Sequence, residues 1–112
     1  WNINSFAEFF LQILGKYERP YQQAMDDFRT KRTRFVSELQ GINYLRIVPS
    51  EANYLLCEVL PPHTPRELAI QLLKKYNILI KDCTSKCHAP YIRIAVRDTE
   101  DNNQLIAALR TL

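Results

Sequence analysis

Glycine is nearly missing from this chain, with only Gly15 and Gly41 among 112 residues. A glycine-rich loop that cradles phosphates is therefore excluded. Cysteine is sparse and odd in number: Cys57, Cys83 and Cys87. A secreted disulfide scaffold usually carries an even set, so a reducing, cytoplasmic setting is predicted. No apolar run approaches the length of a membrane span, and no signal peptide is visible at the start. Charge of one sign is also lacking. The 15 basic and 12 acidic residues leave a net charge of +3, too mild to argue for nucleic acid. Trp1 rather than methionine opens the chain, which points to a piece of something longer.

What the chain does have is a hydrophobic fraction of 46%, enough for a single domain around one core. Four helices are predicted from apolar spacing. The first covers Phe6 to Tyr17, with Ser5 and Glu8 as a capping box. Its stripe of Phe6, Phe9, Phe10, Ile13, Leu14 and Tyr17 is expected to join the core of this domain. A linker is expected around Lys16–Pro20. The second helix follows from Tyr21 to Leu39, and its basic residues Arg29, Lys31, Arg32 and Arg34 read as a solvated face. The third starts at Thr64-Pro65-x-Glu67, a cap, a helix-compatible proline and a completed box. The fourth starts at Asp98 or Thr99, with Glu100 and Asp101 at the positive end of its dipole.

Strands are predicted at Tyr44–Val48, Asn53–Val59, Ile78–Lys81 and Tyr91–Arg97. The order α-α-β-β-α-β-β-α makes an α/β two-layer sandwich, a small sheet of about four strands with helices packed on it. Within the last strand, Ile92, Ile94 and Val96 share the core face, and Tyr91, Arg93, Ala95 and Arg97 share the other. Arg93 and Arg97 stand about 13 Å apart along the strand and lean toward each other over Ala95. Guanidinium grips carboxylate or phosphate through two parallel hydrogen bonds, so this pair is a candidate anion site. The competing reading is two arginines on an uncovered sheet face. Lys81 adds a third positive charge if its strand lies beside the last one.

Cys83-x3-Cys87-His88 brings three ligand types together. Zinc takes four in a structural site, no second pair follows, and no metal is predicted. Cys57 reads as a small buried hydrophobe. No nucleophile elbow or triad is found.

Several segments together resemble one family. Trp1-Asn2-Ile3-Asn4, Pro49-Ser50-Glu51-Ala52-Asn53-Tyr54-Leu55-Leu56, Ile78-Leu79-Ile80-Lys81-Asp82-Cys83, Tyr91-Ile92-Arg93-Ile94-Ala95-Val96-Arg97 and Glu100-Asp101-Asn102-x-x-Leu105 appear in order along the whole chain. They are similar to the C-terminal small domain of pyridoxal-phosphate enzymes of the aspartate aminotransferase fold. The members most like it are threonine-phosphate decarboxylase and histidinol-phosphate aminotransferase. The resemblance implies that Arg93 binds the substrate α-carboxylate and that Lys81 sits where an arginine often meets the substrate phosphate. It gives Arg97 to the decarboxylase-like members, where the aminotransferases usually carry glycine. The decarboxylase of cobalamin biosynthesis is thus the favoured reading, with the histidine-pathway aminotransferase as alternative.

The resemblance further implies that pyridoxal phosphate is bound by an absent N-terminal cofactor domain, to which residues 1–17 connect. Against that domain the phenylalanine stripe of the first helix packs as well as against its own core, leaving an apolar patch exposed on this chain alone. It implies a phosphorylated amino-acid substrate, a homodimer of the full-length protein and no catalytic residue in this chain. A reading of another class is a non-catalytic anion- or RNA-binding α/β module, although no aromatic-studded strand of the RNA-binding type is present.

Overall fold

The computed structural model describes residues 4–112, so the expectations resting on Trp1, Asn2 and Ile3 lie outside it. The chain divides into two compact units, residues 1–30 and 31–112.

In the first unit, α1 spans Ser5–Leu14. Asn4 caps it, and its side-chain oxygen accepts from the Ala7 N–H at 2.8 Å. Ser5 is already helical, so the predicted capping box is displaced by one residue; asparagine serves as an N-cap as well as serine does. A 3-10 turn over Gly15–Tyr17 leads into α2, Glu18–Gln40. The linker expected at Lys16–Pro20 is therefore helical. Pro20 lies in the first turn of α2, where its missing N–H would have had no partner within the helix. No residue of α1 is buried, and Phe6 is 81% exposed. The phenylalanine stripe does not join the core as expected; the buried hydrophobic residues begin at Phe35.

The second unit contains the sheet. The strands are β1 (Leu45–Ile47), β2 (Tyr54–Val59), β3 (Lys81–Asp82) and β4 (Tyr91–Ala95), all pairs antiparallel, in the order β1-β2-β4-β3. Helix α3 spans Pro65–Tyr76, the single-turn α4 spans Thr84–Cys87, and α5 spans Thr99–Thr111. The predicted fold class is thus observed. All four strands are shorter than expected, and the third is also displaced toward the C-terminus. Ile78–Ile80 stays outside the ladder because Asn77 ends α3 in the left-handed conformation, its N–H returning to Leu72 and Leu73. Beyond Ala95 the β4 backbone turns toward α5.

Period-two alternation sends Leu55, Cys57 and Val59 of β2 and Ile92 and Ile94 of β4 to one face. They pack with Phe35 and Leu39 of α2, Leu68 and Leu72 of α3, and Leu105, Ile106 and Leu109 of α5 as the buried core. Burying a leucine or phenylalanine side chain contributes about 1.5–3 kcal/mol, so this face holds the sheet in place. Tyr44 closes one edge: its hydroxyl donates to the Leu109 carbonyl and its ring stacks on His63 with centroids 4.0 Å apart. Burial raises the Tyr44 pKa. On the opposite face the side chains of Arg46, Tyr54, Lys81, Arg93 and Ala95 are exposed, and that face positions the site.

Candidate anion site on the open sheet face

Register turns the open face into three rungs. The first runs Arg46–Glu58–Tyr91 across β1, β2 and β4. The second runs Leu56–Arg93–Lys81 across β2, β4 and β3. The third pairs Tyr54 with Ala95.

The first rung is neutralised. Arg46 Nη2 donates to Glu58 Oε2 at 2.9 Å and to the Tyr91 hydroxyl at 3.2 Å. The hydrogen bond from Arg46 holds the Glu58 carboxyl below its usual range, and Glu58 in turn raises the Arg46 pKa.

The second rung places two cations side by side. Lys81 and Arg93 are direct cross-strand partners, and like charges in that relation destabilise a sheet. Neither belongs to an ion pair among the described residues. Asp82, next along β3, does not serve Lys81. Its Oδ1 accepts from the Thr84 N–H at 2.9 Å and the Thr84 hydroxyl at 2.6 Å, and these bonds lower its pKa. A shallow depression of about 500 Å³ opens here, lined by Leu79, Ile80, Lys81, Asp82, Arg93 and Ala95. The condition set on Lys81 by the sequence, a strand beside that of Arg93, is met.

The third rung contributes an aromatic surface. The Arg93 guanidinium carbon lies 5.6 Å from the centroid of the Tyr54 ring, and Ala95 leaves room for it to lean that way. Sequence reasoning placed Tyr54 in a strand and gave it no role. Its signal was available: a large aromatic at an outward position, one diagonal step from an arginine.

Arg97 is placed differently from its expectation. It lies beyond the last residue of β4, and it does not lean toward Arg93. Its Nε donates to Asp101 Oδ2 at 2.7 Å, which raises its pKa. Its backbone is bracketed by Asn102: the Arg97 N–H donates to Oδ1 and Nδ2 donates to the Arg97 carbonyl, both at 3.0 Å. Asn102 is 6% exposed and was also missed as a working residue. Its two bonds replace a strand neighbour where the ladder stops, satisfying both backbone groups.

Cys83 and Cys87 bracket the single turn of α4, where the Cys87 N–H donates to the Cys83 carbonyl at 2.9 Å. Cys57 is buried, which pushes its thiol up to about 12. Cys83 is buried and Cys87 exposed. Among the described residues no group of three or more histidine, cysteine, aspartate or glutamate side chains gathers to hold a metal, and no helix is long and apolar enough to cross a membrane.

Comparison with known proteins places the chain in a family. The family model for aminotransferase class I and II matches residues 5–109. An L-serine phosphate decarboxylase of Sulfurospirillum multivorans is 30% identical over 100% of this chain and 30% of its own length. The adenosylcobalamin biosynthesis bifunctional protein CobDQ of Leptospira interrogans is 28% identical over 100% of this chain and 13% of its own length. Among solved structures, a decarboxylase from Sulfurospirillum multivorans superimposes with a TM-score of 0.87 at 28% identity, over 99% of this chain and 32% of the other. The chain thus spans less than a third of the length of each of these proteins.

The cofactor that such a family implies is pyridoxal phosphate, held through a lysine Schiff base and a partner at the pyridine nitrogen. Lys81 is a lysine on an open strand with a cation directly opposite. The backbone N–H groups around it belong to the sheet ladder rather than to a phosphate cradle. These residues do not fit the cofactor. They fit an anion.

Proposed function

This chain belongs to the aminotransferase class I and II family, and on that premise we propose that it is the substrate-binding small domain of a pyridoxal-phosphate-dependent decarboxylase acting on a phosphorylated amino acid. The observation that supports the proposal is the Lys81–Arg93 rung, two adjacent cations that form no ion pair among the described residues. A sheet keeps like charges in register only against a cost. A ligand with anionic groups removes that cost when it binds.

Arg93 takes the α-carboxylate. Its planar fork makes two parallel hydrogen bonds and so fixes the carboxylate's plane as well as its position. Lys81 meets the phosphate as a point charge, a role lysine performs without demanding one orientation. Holding the substrate at both ends sets the rotation about its Cα and so helps select which bond there reacts. The cofactor, supplied by a large domain outside this chain, provides the electron sink for that bond. Arg97 stands as a reserve cation beside the site, paired with Asp101 until an anion competes for it. L-Threonine O-phosphate is the assigned substrate, with the cobalamin pathway as its setting.

The test is to incubate the full-length protein with pyridoxal phosphate and either L-threonine O-phosphate or L-serine O-phosphate. Release of CO2 with the matching amino-alcohol phosphate is expected. A parallel incubation supplies histidinol phosphate with a 2-oxo acid as amino acceptor; amino-group transfer there, with no CO2 released from either amino-acid phosphate, would overturn the decarboxylase assignment in favour of the aminotransferase one.

A further inference from the structure

We propose that Tyr54 is a positioning residue for Arg93, holding the guanidinium by its flat face so that all its edge donors stay free for the substrate carboxylate. The inference rests on the assignment of Arg93 given above.

An arginine on an open sheet face has many rotamers, and ordering it costs entropy on every binding event. Proteins often fix such a side chain with a carboxylate, as Glu58 fixes Arg46 on the neighbouring rung. That solution occupies the same N–H donors a substrate carboxylate needs. An aromatic ring does not. It attracts the cation through its negative face and leaves the in-plane N–H groups pointing outward. Tyr54 offers that face, with the Arg93 Cζ 5.6 Å from its centroid.

The backbone that carries the ring is anchored. The Ser50 hydroxyl donates to the Tyr54 carbonyl at 2.8 Å and accepts from the Ala52 N–H at 3.0 Å. The Val96 N–H donates to the Asn53 carbonyl at 2.9 Å, tying the start of β2 to the end of β4. The turn formed by Pro49-Ser50-Glu51-Ala52-Asn53 therefore sets the backbone from which the ring projects. This also accounts for a large aromatic left 47% exposed. Its outer face is the arginine's seat rather than part of the core.

The experiment compares Tyr54→Leu, Tyr54→Thr and Tyr54→Phe in the full-length enzyme. Threonine keeps strand propensity without a ring and covers the case in which the leucine variant folds poorly. Loss of the ring is expected to raise KM for the phosphorylated amino acid by about 3- to 30-fold with a smaller change in kcat. Competitive inhibition by L-alanine, which has a carboxylate and no phosphate, should weaken in parallel. Inhibition by inorganic phosphate should not. Tyr54→Phe retains the ring and restores the wild-type KM. If both ringless variants keep the wild-type KM, or if phosphate and L-alanine inhibition weaken equally, the inference is overturned. Arg93→Ala separates the two levels. A silent Arg93→Ala removes the site assignment and this inference with it, whereas a damaged Arg93→Ala beside silent Tyr54 variants removes only the role of Tyr54.

Discussion

Arg46 and Arg93 sit on the same open sheet face, each directly opposite a β2 residue. Arg46 faces Glu58 and is bonded to it, while Arg93 faces Leu56 across β2 and Lys81 across β3. The two arginines thus share a scaffold and an exposure and differ in their partners. The first end of the face is complete in itself. The second carries two cations that have no ion-pair partner among the described residues, beside the aromatic ring of Tyr54. Stability alone explains the first arrangement. The second is the arrangement that the proposed anionic ligand would complete.

The comparison can be broken by giving Arg93 what Arg46 already has. Leu56→Glu sets a carboxylate opposite Arg93 in the same cross-strand relation. In the full-length enzyme it should lower kcat/KM by about 10²–10³-fold, as expected for an internal anion that outcompetes substrate, while the thermal midpoint holds or rises slightly. Steady-state kinetics with a melting curve on the same sample check both halves. Lys81→Ala should cost less, about 10-fold in kcat/KM. It should also raise stability slightly by removing the like-charge contact, and its loss should be confined to phosphorylated substrates. A comparison of L-threonine O-phosphate with unphosphorylated L-threonine reads that directly.

Glu58→Gln makes the reverse change, turning the complete end into an unpaired one. Activity should stay within twofold of wild type. The effect should appear instead in pH-dependent stability. The folded pKa of Glu58 is lowered by Arg46, so its stabilising contribution is full above the unfolded glutamate pKa of about 4.3. It is lost as pH falls through the folded value. Denaturant midpoints of wild type and Glu58→Gln should therefore differ slightly near pH 7 and converge in acid. A gap that persists at the lowest pH would mean that the carboxylate's charge is not the cause.

The buried side of this sheet was readable from sequence because it obeys periodicity. Ile92, Ile94 and Val96 alternate with Tyr91, Arg93, Ala95 and Arg97, and each of the three is buried. The start of α3 was readable for a similar reason, since Thr64 caps it by accepting from the Glu67 N–H at the spacing that capping requires. The relation of Lys81 to Arg93 needed register. Pairing is a long-range fact, and a β3 of two residues carries too little pattern to declare it. Arg97 was misplaced for the same reason. Strict alternation runs to residue 97, but the ladder ends at Ala95 because Asn102 intercepts the backbone there, and side-chain competition of that kind leaves no periodic trace. Metal was weighed on residue types alone, whereas burial sets Cys57 and Cys83 apart from the exposed Cys87. The phenylalanine stripe of α1 was legible as amphipathic, but amphipathicity does not say which surface receives it.

The central claim is that the Lys81–Arg93 end of the face binds anions and the Arg46 end does not. The most direct test is the dissociation constant of full-length protein for L-2-amino-4-phosphonobutyrate, in which a methylene replaces the ester oxygen of serine phosphate. It would be measured by calorimetry for wild type, Arg46→Ala and the double variant Lys81→Ala/Arg93→Ala. The account predicts binding within twofold of wild type for Arg46→Ala and at least about 100-fold weaker for the double variant. Equal weakening in both variants, or wild-type affinity in the double variant, would contradict it.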